Sequence, residues 1–209
     1  DNCLNHRFPD DYAHINSIFL TEDKNILMSL RGCSQVIKID RINKTGKKIF
    51  SIGGFDSEFK ITNDKFKEFC AQHTATLLSE TELYLFDNGN HCNGDREKKF
   101  GKFSRAVQYS LDFDNKEAKF VKDIKFKNPM GNFTTSSGSF FITKNGNWLI
   151  NWSKGLYDIT EHTPDGEEVL NISFQMNEKK LPVYQVDRIY EANFPIKIND
   201  EITFVNFKN

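Results

Sequence analysis

The sequence predicts an all-β fold, a β-propeller made of four-stranded antiparallel blades, and three observations support this prediction. Short runs that alternate apolar and polar residues recur along the chain, which is typical of half-buried strands. The 20 Phe residues and an aromatic share of 13% also favour strands. Finally, similar four-strand units follow one another in tandem, which is the signature of propeller blades. A chain of 209 residues is long enough for a single domain with a substantial core.

The first predicted blade, residues 12–54, begins at His14 in the segment DYAHINS at 11–17. Asx- and glycine-containing turns separate its strands, with Thr45-Gly46 before the last one. The four predicted strands are Asn16–Thr21, Asn25–Leu30, Gln35–Arg41 and Lys47–Ile52.

The second predicted blade, residues 72–127, begins at His73 in the segment AQHTAT at 71–76. Just before it, Asn63–Cys70 is the best candidate for a short helix. The four predicted strands are Thr74–Ser79, Glu82–Phe86, Arg105–Asp112 and Ala118–Phe126.

The third predicted blade, residues 136–175, aligns SFFIT at 139–143 with SIFLT at 17–21, which places Ser136 at the position of His14. A closing segment, 183–209, adds a strand to another blade. Three blades are fewer than the four to eight that usually close a propeller. We therefore expect one partial propeller domain over 1–209, with N-terminal blades missing or on another chain. The four strands predicted in this blade are Ser139–Thr143, Trp148–Trp152, Leu156–Thr163 and Glu167–Phe174.

Several polar residues are expected at one rim of the propeller. The first strand of a blade lines the central channel, so His14 and His73 are predicted to start neighbouring inner strands and face one cavity. Strands one and three of an up-and-down sheet begin at the same end, which places Arg105 at this rim as well. Residues that follow second strands also belong to it: Arg31, Asp87, Asn88 and His91.

The four cysteines allow three pairings. Cys70 and Cys92 both fall on rim loops, and a bond between them would hold these loops beside the cavity. Cys33 lies on the same rim, which leaves Cys3 as its partner or as a link to another chain. Four reduced thiols are the alternative.

Charge and hydropathy narrow the classes of partner. A net charge of −1 argues against a nucleic-acid or anionic-membrane surface. No apolar run approaches the roughly 18 residues that span a bilayer, and no cofactor or metal is expected. The cysteines favour a secretory compartment. Glycosylation sequons are compatible with it, although several arise by chance in a chain this rich in Asn, Ser and Thr: Asn43, Asn132, Asn151 and Asn171.

Together these segments resemble the arylsulfotransferase family of six-bladed propellers, including its secreted eukaryotic branch. The likeness runs in order over most of residues 11–192, although each motif is short. The matching segments are DYAHINS at 11–17, KID at 38–40, TG at 45–46, GG at 53–54, QHTA at 72–75, LFDNG at 85–89, SRAV at 104–107, GN at 131–132, NGN at 145–147, LINW at 149–152, VYQV at 183–186 and RIY at 188–190.

The resemblance implies sulfuryl transfer. In the bacterial enzymes of the family, a histidine takes a sulfuryl group from a phenolic sulfate and passes it to a phenol, and two other histidines and an arginine complete the site. By position His14 and His73 match two of these histidines and Arg105 matches the arginine. An arginine fork suits the sulfuryl oxygens, and imidazoles suit nucleophilic or acid–base roles near neutral pH. Asn16, Arg31 and Asn88 are expected to contact substrate.

The chain departs from the family at the sulfated histidine, because Ser136 stands where a histidine would continue the pattern. His91 is the local substitute on the correct rim. The nucleophile is therefore replaced, carried by His14 or His73, or absent. Two hypotheses follow: a secreted sulfotransferase that uses His14, His73 and Arg105, or a non-catalytic secreted propeller that serves as a binding or assembly module.

Overall fold

The structure is a computed structural model that describes Cys3 and residues 11–92, 94–125, 133–153, 158–173, 175–176 and 179–180. These residues form three large sheets and a short hairpin. In each large sheet four consecutive strands pair antiparallel in chain order, as in a propeller blade. The all-β propeller prediction is confirmed.

Sheet 1 follows His14 and corresponds to the first predicted blade. A single 3-10 turn over Arg31–Cys33 joins its second and third strands. Apolar residues at every second position, such as Leu27 and Phe50, turn to the buried face of the sheet. Its strands are β1 (Ile15–Leu20), β2 (Ile26–Leu30), β3 (Gln35–Ile39) and β4 (Lys48–Gly53).

Sheet 2 begins at His73 and carries an additional edge strand, β5 (Lys60–Thr62), which pairs parallel with the last strand. The helix predicted over Asn63–Cys70 is wrong. Asn63 and Lys67 have left-handed φ angles of 60° and break a right-handed helix. The short helix lies instead between the second and third blade strands. The remaining elements are β6 (His73–Ser79), β7 (Glu82–Asp87), α1 (Gly94–Phe100), β8 (Arg105–Asp112) and β9 (Glu117–Lys125).

Sheet 3 repeats the arrangement in four shorter strands, which a two-stranded hairpin follows. The predicted closing segment, 183–209, lies outside the described residues. The strands are β10 (Ser139–Ile142), β11 (Trp148–Asn151), β12 (Ile159–His162), β13 (Glu168–Ile172), β14 (Gln175–Met176) and β15 (Lys179–Lys180).

Two apolar layers hold the three sheets face to face. The layer between sheets 1 and 2 is mainly aliphatic, with Leu27, Leu85 and Val107 fully buried. The layer between sheets 2 and 3 is aromatic, with Phe86 packed edge-on against Trp152. This stacking places the first strands of the sheets, β1, β6 and β10, beside one another. Among the described residues, no helix is long and apolar enough to cross a membrane.

Candidate functional site

The three inner strands border a cavity of about 490 Å³. Its wall combines hydroxyl and amide groups with aromatic and aliphatic side chains and contains no charged residue. The predicted place of the inner strands around one cavity is therefore found, and His14 and His73 immediately precede the lining segments. The lining residues are Ile15, Asn16, Ser17, Ile18, Phe19, Thr74, Ala75, Thr76 and Phe141.

His14 occupies an unusual backbone conformation at the entrance of β1. Its φ angle is 48°, a left-handed value that non-glycine residues rarely adopt and that clusters at functional sites. The His14 carbonyl accepts a hydrogen bond from the Arg31 N–H. Its ring Nδ1 bonds the Asp11 carboxylate, and its side chain remains 37% exposed. Because a carboxylate only accepts, Nδ1 donates in this contact, and in the neutral tautomer with this proton position Nε2 carries the lone pair.

His73 is held in a different way. Its side chain is buried, Nδ1 lies 2.6 Å from the Asn88 amide oxygen, and Nε2 accepts a hydrogen bond of 3.1 Å from the Ser137 backbone N–H. The pKa of His73 is lowered from 6.5 to about 4, mainly by burial and also by electrostatic interactions with Arg31 and His14, while the hydrogen bond to the Asn88 amide oxygen opposes the shift. His73 is therefore neutral near pH 7, with both ring nitrogens bonded to protein groups.

Asn88 connects His73 to the segment before sheet 3. Its amide nitrogen donates to the carbonyls of Thr134 and Ser137 at 2.8 and 2.9 Å. Ser104 adds a hydrogen bond of 2.8 Å to the Asn88 carbonyl. Asn88 is fully buried, so this network fixes the ring of His73 relative to sheet 3.

Arg31 is the cation beside the two histidines. Its guanidinium donates to the Thr135 carbonyl at 3.1 Å, and the Asn90 amide donates to the same oxygen at 2.9 Å. The charge of Arg31 contributes to the low pKa of His73. His91 follows Asn90, is exposed and has a φ of 55°. The rim therefore brings His14, His73 and Arg31 together, with His91 at its exposed margin.

Arg105 does not join this cluster, contrary to the prediction from strand order. Its guanidinium is fully buried and pairs with Asp64 at 2.7 Å, Asp87 at 2.9 Å and Asp123 at 3.2 Å. It also bonds Tyr109, which belongs to the apolar layer between sheets 1 and 2. Strand order fixes the end of the sheet at which a residue lies, whereas the alternation along the strand decides which face it occupies.

The carboxylates around Arg105 form a closed ionic network. Although burial opposes ionisation of Asp64, the hydrogen bonds and charge of Arg105 hold the Asp64 pKa below its usual value. Burial opposes the charge of Arg105, but the surrounding groups, first Tyr109 and Asp87, raise the pKa of Arg105 well above its usual value. Arg96, also buried, contacts Asp87 at 2.9 Å. Arg105 is thus committed to holding sheet 2 and the 64–68 segment together.

The disulfides agree with the predicted pairings. Cys70 bonds Cys92 and Cys3 bonds Cys33, so none of the four cysteines is free. The Cys70 N–H also donates to Asp87 at 2.9 Å, which links this disulfide to the ionic network. The alternative of four reduced thiols does not describe this structure.

The asparagines of the four predicted glycosylation sites differ in their exposure. Asn43 is exposed in a turn, whereas Asn132 lies outside the described residues. Asn171 is partly buried and bonds Glu168 at 2.9 Å. Asn151 is buried in β11 with its amide oxygen bonded to the Ser153 N–H. A glycan has no room there, so Asn151 has a structural place in the fold.

Three important residues were not selected from the sequence. Asp11, three residues before His14, carried a usable signal, since a carboxylate at this spacing can orient an imidazole. Ser137 neighbours Ser136, the residue aligned with His14, and has a φ of 64°. Asp64 carried no sequence signal, because only the fold brings it to Arg105.

A family comparison decides the relationship. The sequence profile described as arylsulfotransferase (ASST) matches residues 5–187, well over half of the chain. The chain belongs to the arylsulfotransferase family. No curated protein sequence matches it significantly.

Solved structures with a similar fold come from other proteins. Virginiamycin B lyase from Staphylococcus aureus is 13% identical with a TM-score of 0.44, over 77% of this chain and 41% of that chain. A protein of unknown function from Bacteroides caccae is 14% identical with a TM-score of 0.46, over 76% of this chain and 49% of that chain. The chain thus spans less than half the length of either protein.

Proposed function

We propose that this arylsulfotransferase-family propeller transfers a sulfuryl group from a phenolic sulfate to a phenol at the channel rim. The observation that carries the proposal is the grouping of His14 and His73, at the start of two inner strands, with Arg31, which follows β2 at the same rim. One exposed imidazole with an oriented lone pair, one cation and a neighbouring cavity provide the parts that this reaction needs.

In the first step, Nε2 of His14 attacks the sulfur of the donor. The bond between sulfur and the phenolic oxygen breaks, and the bonding electrons leave with the phenolate, which takes a proton from solvent. Asp11 stabilises the positive imidazole ring that forms. Arg31 binds the sulfuryl oxygens through charge-assisted hydrogen bonds.

In the second step, the acceptor phenol loses its proton to solvent and its oxygen attacks the sulfur. The bond between sulfur and Nε2 breaks, and His14 returns to its neutral form. The Asn16 amide oxygen is buried beside the cavity and has no hydrogen-bond partner among the described residues. In this proposal it accepts a hydrogen bond from the phenolic hydroxyl, and Phe19 and Phe141 of the cavity wall contact the ring.

The other predicted site residues take supporting roles in this proposal. His73 and Asn88 position the rim, because their polar groups are bonded to one another and to the 134–137 segment. Arg105 pairs with three buried aspartates, which stabilises the fold, and it does not contact the substrate. His91 is the alternative nucleophile on the exposed margin.

The proposal includes secretion and a second polypeptide. Two disulfides are compatible with an oxidising compartment. Another chain or fragment supplies further blades and encloses the channel.

A second candidate function is a non-catalytic binding or assembly module. The specific observation in its favour is that both ring nitrogens of His73 and the guanidinium of Arg105 are bonded to protein groups. These are two of the three family-matched residues that the resemblance would make catalytic.

The test uses the complete protein, 4-nitrophenyl sulfate as donor and phenol as acceptor. His14→Asn is expected to abolish transfer, and Arg31→Gln to reduce it by roughly a hundred- to a thousand-fold, as for loss of one donor to a developing anion. His91→Asn, the matched change at an exposed rim histidine, should leave the rate unchanged. No transfer by the unmodified protein would favour the binding module, and equal transfer rates in all variants would show that His14 and Arg31 do not carry the reaction.

A further inference from the structure

The turn between β3 and β4, residues 40–47, has no part in the proposed reaction. We call it the β3–β4 turn. Its segment Asn43-Lys44-Thr45 matches the Asn-x-Ser/Thr pattern of an N-glycan acceptor. All three residues are exposed. A glycan is bulky and needs a surface position, which this turn provides.

The β3–β4 turn is ordered by side chains other than that of Asn43. The Asp40 carboxylate accepts hydrogen bonds from the Asn43 backbone N–H at 2.9 Å and from the Thr45 hydroxyl at 2.6 Å. The Asn25 amide oxygen accepts a hydrogen bond of 3.0 Å from the Arg41 N–H. The Asn43 amide nitrogen lies 3.3 Å from Asp40, and since it carries two hydrogens, this contact persists when a glycan replaces one of them.

The other described sequon asparagines lie in strands. Asn151 in β11 is buried, and its amide oxygen accepts a hydrogen bond of 2.9 Å from the Ser153 N–H. Asn171 in β13 is partly buried, and its amide nitrogen donates to Glu168 at 2.9 Å. A glycan on Asn151 would have to displace the core, and Asn171 offers less space than the exposed Asn43.

Sheet 2 contains a matching turn without the sequon. Between β8 and β9, the exposed Asn115 donates its backbone N–H to Asp112 at 3.0 Å, as in the β3–β4 turn. The residue after the asparagine has a left-handed φ in both turns, 57° at Lys44 and 52° at Lys116. Glu117 stands where the acceptor pattern needs Ser or Thr. One substitution therefore creates the pattern in a turn of the same geometry.

We propose that Asn43 carries an N-linked glycan and that Asn151 does not. The inference rests on the secretion that the proposed function includes, because this glycan is attached in the secretory pathway. It goes beyond the reaction itself. Consecutive antiparallel strands run to alternate ends of a sheet, and β3 leads from the rim turn Arg31–Cys33 to the β3–β4 turn. The glycan therefore lies at the end opposite His14 and leaves the rim open.

The attachment is a group transfer from an oligosaccharide diphospholipid, catalysed by the cell's own transferase. The Asn43 amide nitrogen forms a bond to the anomeric carbon of the oligosaccharide. The bond between that carbon and the diphosphate oxygen breaks, and its electrons leave with the diphosphate. One amide proton passes to a base of the transferase.

The experiment compares full-chain protein isolated from the cells that make it with protein directed through the secretory pathway of cultured animal cells by an attached signal peptide. Peptide N-glycosidase in heavy-oxygen water converts each glycosylated asparagine to a labelled aspartate, which peptide mass spectrometry locates. We expect a label at Asn43 in both samples and none at Asn151. Glu117→Thr in the directed protein should add a label at Asn115, and the matched control Glu117→Gln should not.

Three outcomes would overturn the inference: an unlabelled Asn43 in protein from its own cells, a label at Asn151, or an unlabelled Asn115 in secreted Glu117→Thr protein. A label at Asn43 in the directed sample alone would trace the failure to the proposed secretion, and its absence from both samples would trace it to the turn. Because the readout is peptide mass, a lack of sulfuryl transfer in the same samples would count against the proposed reaction alone.

Discussion

The two faces of sheet 2 bury polar groups in different ways, one as ion pairs and the other as a neutral hydrogen-bonded histidine. Toward sheet 1, Arg105 and Arg96 are charged and paired with Asp64, Asp87 and Asp123. Toward sheet 3, His73 is neutral and is held by an amide and a backbone N–H. Asp87 and Asn88 are adjacent in sequence, yet one serves the ionic network and the other serves the histidine.

The difference shows where each face can act. Buried charges need partners, and a guanidinium that is fully occupied by carboxylates is not available for a substrate anion. In the proposed function the arginine that binds the substrate anion is therefore Arg31 at the rim, and Arg105 has a structural role.

The largest expected loss of stability follows from a change in the ionic network on the face of sheet 2 toward sheet 1. Arg105→Leu leaves Asp64 and Asp87 buried without their main partner, which typically costs about 3–5 kcal/mol of unfolding free energy. Urea unfolding measures it. Arg31→Leu at the rim is the matched control and should cost less than about 1 kcal/mol. Equal losses in the two variants would contradict the distinction between a structural and a functional arginine.

Removing the disulfide on the same side comes next. Cys70→Ser with Cys92→Ser opens a loop with a sequence separation of 22 residues. The double variant should lose on the order of 3 kcal/mol of unfolding free energy, because the unfolded chain gains conformational freedom. The parent protein under reducing conditions provides an independent comparison. Unfolding midpoints that match those of the oxidised parent would show that the ionic network alone holds the loops.

The neutral His73, on the face of sheet 2 toward sheet 3, makes the free energy of unfolding depend on pH. Burial lowers the pKa of His73 from 6.5 to about 4, so between these pH values the unfolded chain binds a proton that the folded chain does not. Stability from this group is complete above pH 6.5 and is lost as the pH falls toward 4, by on the order of 3 kcal/mol. Unfolding at several pH values measures the loss. His73→Gln should flatten that part of the profile, and the exposed-histidine variant His91→Gln should not.

A single substitution should give His73 a charged partner, as Arg105 has on the other face of sheet 2, and its expected effect is smaller than the preceding ones. Asn88→Asp places a carboxylate against Nδ1 of His73, which stabilises the imidazolium and should raise the pKa of His73 by roughly 1–3 units. A titration of the ring followed by NMR measures the shift. Asn43→Asp, the same change in an exposed turn, controls for net charge. A His73 pKa that stays at its starting value would mean that Asn88 does not contact the ring in solution.

The sequence predicted the strands and the inner-strand cavity because period-two patterns and turn residues act locally. It also predicted the Cys70–Cys92 disulfide, whereas for Cys33 it left two partners open. It did not predict the surroundings of Arg105. Asp64 and Asp123 are distant from Arg105 in sequence, and the end at which β8 begins does not decide which face its first side chain occupies. The helix predicted over Asn63–Cys70 failed for a local reason, since two left-handed residues replace it with a turn.

The same limit applies to the candidate site. His14 was identifiable as the first residue of a repeated motif, and the spacing of Asp11 was a signal that was not used, whereas the left-handed backbone of His14 became visible only in the fold. Arg31 was predicted as a rim residue from its position after β2. Arg31 is preferred to Arg105 as the substrate-binding arginine because three carboxylates surround Arg105. Only tertiary packing brings these carboxylates to it.

The central claim is that His14 is the nucleophile of a sulfuryl-transfer site next to Arg31. The most direct measurement mixes the complete protein with 4-nitrophenyl sulfate without an acceptor and follows the first turnover. We predict a burst of one nitrophenolate per site, together with a sulfuryl group on His14 in peptides recovered by alkaline quench and mass spectrometry. His14→Asn should remove both signals. A burst that persists in His14→Asn, or a sulfuryl group found on His91 or His73 instead, would contradict the account.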